Sequence, residues 1–350
     1  MRHAALRAVA AGDLSSILIV DDSAVARAVM SRVVDGSGRY AVTGAVSNVG
    51  AALAFLARSR VDYILLDIHL PGVDGITALP DLLAAGGDAK VLIVSSSAED
   101  GAVQAVQALA LGAADTMAKP EGLSTRFGQT LLEKLDRLGE AAPIASAPPA
   151  PLPTSRRSEV YELVAIAAST GGIHALSRLL RELPASFLLP VLITQHLPTT
   201  FMHYFAAQLA ALTGRACDVA TDRLRIRPGR LIVAPGDAHV CVMRLTDGGT
   251  CIRLSKVAAA SGCMPSADPM FASVAATFGP HAIGVVLSGM GRDGADGARA
   301  LREAGAAVVV QDRDSSVVWG MPGAVAALGL AEAVLPPDAI GRLLAERRRP

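Results

Sequence analysis

The feature that most constrains this chain is a repeated unit. A short, nearly unbroken apolar run of strand length ends in a polar residue, and a helix-period pattern follows. In the first part of the chain the runs are Ile17–Val20, Tyr40–Val46, Tyr63–Leu66, Val91–Val94 and Asp115–Met117. Helical patterns such as Ala24–Val34, Ala51–Arg58, Ala102–Leu111 and Thr125–Leu138 lie between them. Strands this apolar are covered on both faces, and helices alternating with them predict a doubly wound parallel sheet. The style returns later in Leu163–Ala167, Val191–Gln195, Arg230–Ala234, Ala282–Leu287 and Ala306–Gln311, with helices over His174–Leu183 and Ala298–Ala304. The fold class is therefore α/β, with two doubly wound parallel-sheet domains. The first is flavodoxin-like and the second Rossmann-like.

Between the two patterns, Pro143, Pro148, Pro149, Pro151 and Pro153 crowd one segment. Proline at that density forbids helix and ladder hydrogen bonds and favours a semi-stiff tether. The expected domains are residues 16–138 and 160–347, joined by a Pro/Ala-rich linker over 139–159. With 51% hydrophobic and 18% charged residues, the chain can build packed cores and is not disordered. Lys+Arg and Asp+Glu each total 32, so the basic excess of a nucleic-acid binder is missing. No apolar run reaches the ~18 residues of a membrane span, and Arg7 interrupts the start, so neither membrane insertion nor secretion is expected. Cys217, Cys241, Cys251 and Cys263 form no CxxC pair. They are expected to be buried free thiols of a cytoplasmic protein.

In an open parallel sheet the chemistry gathers at the carboxyl ends of the strands. In the first domain those ends carry Asp21 and Asp22, then Asp67, then Ser95, then Lys119. Clustered carboxylates suit a hard divalent cation such as Mg²⁺, which neutralises an incoming phosphoryl group while one carboxylate acts as nucleophile. Asp22 could instead cap the helix that begins near Ser23. This half closely resembles the receiver domain of two-component response regulators. The resemblance makes Asp67 the phosphoacceptor, Asp21, Asp22 and Asp67 the Mg²⁺ ligands, Ser95 the switch hydroxyl and Lys119 the phosphate-binding lysine. His69-Leu70 and Ser95 depart from the commonest family residues without removing a functional group.

In the second domain the first strand leads into Ser169-Thr170-Gly171-Gly172 and a helix. Backbone N–H groups at such a helix start suit an oxyanion, and Ser169 could be a nucleophile. Ser169 or Thr170 could equally cap the helix, and the turn could cradle a phosphate. The second strand ends beside His196, a general base of suitable type. A later loop, LSGMGRDGADG, offers Asp293 to accept from Nδ1–H of that imidazole. Asp296 is the rival within the loop, unless it caps the next helix. A metal site of His196, Asp293 and Asp296 is a third reading.

The segments IAASTGG, QHLP, MPSADPMF, LSGMGRDGADG and SSVVWGMPGAV resemble those of the chemotaxis protein-glutamate methylesterase/glutaminases. The resemblance implies a catalytic triad of Ser169, His196 and Asp293, with oxyanion donors at the backbone of Thr170 and Met290. It implies hydrolysis of glutamate methyl esters, and deamidation of glutamines, on methyl-accepting chemotaxis receptors. A chemotaxis histidine kinase would be the phosphodonor, and the ester chemistry would need no cofactor. Ala167, Leu197 and Cys263-Met264 depart from the usual residues but leave the triad intact. An unphosphorylated receiver covering the Ser169 rim is the expected control. A receptor-binding module without catalysis, and an amidase of another protein, are the alternatives.

Overall fold

The computed structural model describes residues 14–95, 99–119, 125–139 and 161–346. The tether beyond residue 139, the chain start before Leu14 and the Arg347–Arg349 end lie outside the described residues. Two α/β units are present, each taken by itself.

The first sheet and the helices that alternate with its strands are β1 (Ser15–Val20), α1 (Ala24–Asp35), β2 (Tyr40–Val46), α2 (Val49–Leu56), β3 (Tyr63–Leu66), α3 (Gly75–Gly86), β4 (Lys90–Ser95), α4 (Glu99–Leu111), β5 (Asp115–Ala118) and α5 (Thr125–Gly139). The sheet order is β2-β1-β3-β4-β5. Its centre is the all-buried run Ile17, Leu18, Ile19 and Val20 against Ile64, Leu65 and Leu66. The order reverses at β1, so the carboxyl ends of β1 and β3 flank the crevice where ligands bind in such sheets.

The second unit adds β6 (Leu163–Ala168), α6 (Gly172–Arg181), β7 (Val191–Gln195), α7 (Thr199–Thr213), β8 (Cys217–Val219), β9 (Leu231–Val233), β10 (His239–Arg244), β11 (Thr250–Ser255) and α8 (Ala267–Phe278). It closes with β12 (Ala282–Val286), α9 (Ala295–Glu303), β13 (Ala307–Gln311), α10 (Gly320–Ala327), β14 (Ala333–Leu335) and α11 (Pro337–Glu346). Seven strands pair in the order β14-β13-β12-β6-β7-β9-β8, all parallel. The order reverses between β6 and β12, which places the turns after β6, β7 and β12 around one crevice. The antiparallel hairpin β10–β11 stands outside this sheet. Its alternating sequence lacks the buried runs that made the other strands legible.

Helices α8 and α9 cross almost in backbone contact. A Cβ on Gly297 would lie 2.6 Å from Phe271 Cβ and 3.0 Å from Asp268 Cα and O. Alanine is worth about 1 kcal/mol over glycine inside a helix. Overpacking a tight contact costs about 1–3 kcal/mol, and here part of the obstacle is backbone that cannot rotate away. Gly297→Ala is therefore expected to lower stability by about 1–2 kcal/mol, against its helix propensity. A urea midpoint that stays or rises would contradict this packing.

Candidate functional site

Two rims carry chemistry, one in each unit. On the first, Asp67 ends β3 and is 2% exposed, Asp21 follows β1 and is fully buried, and Ser95 ends β4. Lys119 Nζ reaches between the carboxylates, 2.7 Å from Asp67 Oδ2 and 2.8 Å from Asp21 Oδ2. The lysine's own N–H donates to Ser95 O at 2.7 Å, which ties the end of β5 to that of β4. Of the five residues predicted for this rim, Asp21, Asp67 and Lys119 meet through their side chains, and Ser95 joins them through its carbonyl. Ser23, not Asp22, caps α1, accepting from Ala26 N at 3.3 Å. Asp22 is left exposed and uncommitted to the helix.

Burial pushes the Asp67 carboxyl above its ordinary range, the Lys119 bond and charge oppose this, and the Asp21 charge adds to it. Burial would lower the Lys119 ammonium, but its contacts with Asp21 and Asp67 outweigh that and raise it. Among the described residues, buried Asp67 Oδ1 and Ser95 Oγ find no hydrogen-bond partner. One ligand atom each from Asp21, Asp22 and Asp67 lies within 4.8 Å of the others. An orphaned carboxylate oxygen beside two further carboxylates fits a hard, oxygen-seeking dication.

The linkage has a definite sign. The folded state holds the Asp67 proton more tightly than the unfolded chain does. Ionisation therefore costs no stability below about pH 4, the unfolded value, and costs more as pH rises through the folded one. In metal-free buffer, Asp67→Asn is expected to flatten this decline and raise the first unit's melting midpoint at neutral pH. Thermal melts between pH 4 and 7 test it, and identical profiles for the two proteins would refute it.

On the second rim, β6 and β7 pair with Ala168 opposite Gln195, and His196 N donates to Ala168 O at 3.1 Å. Ser169 and His196 therefore leave adjacent strands side by side. Gln195 Nε2 donates to Ser169 O at 2.9 Å, and Ser169 N donates to Ser288 O at 3.0 Å. The serine is thus held between the turns after β7 and β12. A Cβ on Gly289 would lie 2.8 Å from Ser169 Cβ, so only glycine lets this loop pass. Gly171, at φ +74°, is the N-cap of α6, with no side-chain cap. Neither Ser169 nor Thr170 caps the helix. A Cβ on Gly171 would meet Val317 Cβ at 2.5 Å and Ser288 Oγ at 2.9 Å.

Asp293 is 1% exposed and accepts from His196 Nε2 at 2.8 Å. The sequence reading had the other ring nitrogen, Nδ1, on the carboxylate. The ring is turned so that Nε2, not Nδ1, meets the carboxylate. Ser169 Oγ makes no hydrogen bond among the described residues. Asp293 also accepts from Ser266 Oγ at 2.5 Å and Ala267 N at 2.7 Å. Burial would raise its carboxyl, but the bonds from His196, Ser266 and Ala267 hold it well below the usual range. Nearby Asp268 is pushed up to about 6, by burial first and by the Asp293 charge, against a bond from Gly297 N–H.

Asp296 does not compete for the histidine. Its half-exposed carboxylate faces Arg299 at 3.3 Å and Arg292 at 3.6 Å. It stands in the first turn of α9, whose N-cap is Gly294. The N–H groups of Thr170 and Met290 have no acceptor among the described residues.

Ser266 and His239 were missed in the sequence. Fully buried His239 donates from Nε2 to Val257 O at 2.9 Å and accepts at Nδ1 from Ser266 N at 2.8 Å. The partners fix its tautomer, and it holds in place the residue that donates to Asp293. Only the MPSADPMF segment hinted at this, and it gave no sign of which catalytic group it served. All four cysteines are free, yet only Cys251 is buried. The expectation of buried thiols fails for the other three: Cys217 begins the edge strand β8, Cys241 is only partly covered within the hairpin strand β10, and Cys263 lies in a loop.

A phosphoacceptor-type sheet on one chain with an α/β unit that sets a buried aspartate and a half-buried histidine beside a strand-end serine defines a receiver-linked hydrolase. The model of the CheB methylesterase family matches residues 164–344, and that of the response regulator receiver domain matches residues 17–127. The chain is 43% identical over 344 residues to protein-glutamate methylesterase/protein-glutamine glutaminase 2 of Caulobacter vibrioides, covering 95% of this chain and 99% of the relative. It is 37% identical to the corresponding protein 1 of Paramagnetospirillum magneticum, covering 93% and 94%. The crystal structure of the Thermotoga maritima CheB methylesterase catalytic domain superposes with a TM-score of 0.52 at 32% identity, covering 53% of this chain and 98% of that one. The chain belongs to the CheB methylesterase family and carries a receiver domain. Among the described residues no helix is long and apolar enough to cross a membrane.

Proposed function

We propose that this chain is a receiver-controlled enzyme of chemotaxis adaptation, hydrolysing glutamate methyl esters and selected glutamine amides on chemoreceptors. The observation that carries the reading is the bond of half-buried His196 to buried Asp293, held one residue beyond the β6–β7 register that sets Ser169 beside it. Ser169 Oγ attacks the ester carbonyl and His196 Nδ1 takes its proton. Asp293 stabilises the resulting imidazolium through Nε2–H. The carbonyl oxygen, now negative, accepts from the N–H groups of Thr170 and Met290. Collapse breaks the C–O bond, and the His196 proton leaves on methanol. Water then loses a proton to His196, attacks the acyl-serine and releases glutamate. A side-chain amide follows the same path with ammonia as leaving group.

On the first unit, Asp67 accepts a phosphoryl group from a chemotaxis histidine kinase. Asp21, Asp22 and Asp67 would hold Mg²⁺, which supplies charge neutralisation for the phosphoryl transfer. Lys119 and Ser95 meet the phosphoryl oxygens, and the new charge sets the esterase rate. We place the receiver at 16–138, the tether at 139–159 and the catalytic unit at 160–347. The kinase and the receptor region modified both belong to the cytoplasm, and we place the chain there.

Methanol release from methylated receptor membranes, with and without a small phosphodonor, tests this. Ser169→Ala is expected to lose at least ~10³-fold, and Asp67→Ala to lose the response to phosphodonor alone. Ser266→Ala removes one donor from Asp293, worth about 1–3 kcal/mol, or ~5–150-fold. That loss is expected in kcat with KM unchanged, and Ser266→Thr should restore it. A methanol rate unaffected by Ser169→Ala would end the serine mechanism.

A further inference from the structure

The second rim contains a third metal-ligating side chain that the ester chemistry does not use. Cys263 lies in the loop before α8, half-buried. Its Sγ, a ring nitrogen of His196 and a carboxylate oxygen of Asp293 all lie within 4.8 Å of one another. Around tetrahedral zinc, with bonds of about 2.0–2.3 Å, ligand atoms sit roughly 3.3–3.8 Å apart. A rotamer change at the half-buried cysteine covers the difference. The donor set is also selective: thiolate and imidazole favour zinc over magnesium or calcium. The carboxylate is already oriented by Ser266 Oγ and Ala267 N, the kind of outer support that metal ligands need. The thiol gives up little, since its one contact is Ser261 O at 3.9 Å.

We propose that His196, Cys263 and Asp293 form an inhibitory zinc site that takes the hydrolase out of service reversibly. Zinc binding displaces the thiol proton to solvent, forms the Zn–S bond, and takes a lone pair from His196. If Nδ1 is the ligand, it cannot accept the serine proton. If Nε2 is the ligand, its proton moves to Nδ1, which then cannot accept the serine proton, and the bond to Asp293 is broken. Either way the metal and the catalytic role exclude one another. Metal binding follows from the ligand set alone, whereas inhibition rests on the hydrolase reading above.

The test is a zinc titration of the full chain against a chromophoric chelator, with millimolar Mg²⁺ present to occupy the receiver carboxylates. Cobalt is titrated in parallel, because a cobalt–thiolate bond gives a charge-transfer band. One zinc per chain and a thiolate band are expected for the wild type. Cys263→Ser should weaken zinc at least about tenfold and lose the band, while its metal-free methanol release stays intact and resists zinc. Equal zinc affinity in the two proteins, or no thiolate band, overturns the site. Zinc bound through Cys263 while a working esterase is unaffected overturns the inhibition. Zinc bound through Cys263 with no methanol release from any variant supports the site and falsifies only the hydrolase reading.

Discussion

The Asp293 carboxylate accepts hydrogen bonds from His196 Nε2, Ser266 Oγ and Ala267 N at 1% exposure. A buried charge is tolerated only when it is paired and fully bonded, and removing one partner leaves it uncompensated. The second rim is organised around meeting that demand. The N-terminus of α8 brings Ser266 and Ala267, α9 packs against α8 so closely that Gly297 cannot carry a side chain, and His239 ties Ser266 from behind. The histidine that remains on the carboxylate is the one group of the set that faces the crevice. Structural burden and catalytic orientation are thus the same interaction.

The first rim solves a related problem differently. There the buried carboxylates are two, Asp21 and Asp67, and one ammonium, Lys119, sits between them. The compensation is incomplete, since among the described residues Asp67 Oδ1 has no partner, and its carboxyl is raised. A site left short of positive charge is suited to a dication and a transient phosphoryl group. A fully satisfied site such as Asp293 is suited to holding one geometry through many turnovers. The contrast follows from hydrogen-bond counts rather than from residue types, which are largely the same on both rims.

Much of this was legible in the chain. Runs such as Tyr63–Leu66 and Val191–Gln195 coincide with β3 and β7, because strands buried on both faces have no polar alternation to confuse their ends. The residues following those runs, Asp67 and His196, were placed on their rims for the same reason. Short β8 and β14 and the hairpin β10–β11 were not legible. They are edge or exposed elements whose residues pack on one side only. Ser266 was invisible as a partner of Asp293, and His239 as the support of Ser266, since each pair is 27 residues apart. No local spacing reports such contacts.

The sequence by itself determined the alternation of strands and helices, the chemistry available at each strand end, and the kinship with receiver-linked methylesterases. Those properties are carried by local composition and short segments, which need no long-range contact to be read. The tertiary structure alone decided which nitrogen of His196 faces Asp293, that Asp296 belongs to surface arginines, and that Cys263 lies beside both catalytic groups. These are outcomes of packing between distant segments. Side-chain direction in a close-packed interior is set by which neighbours fill the remaining space.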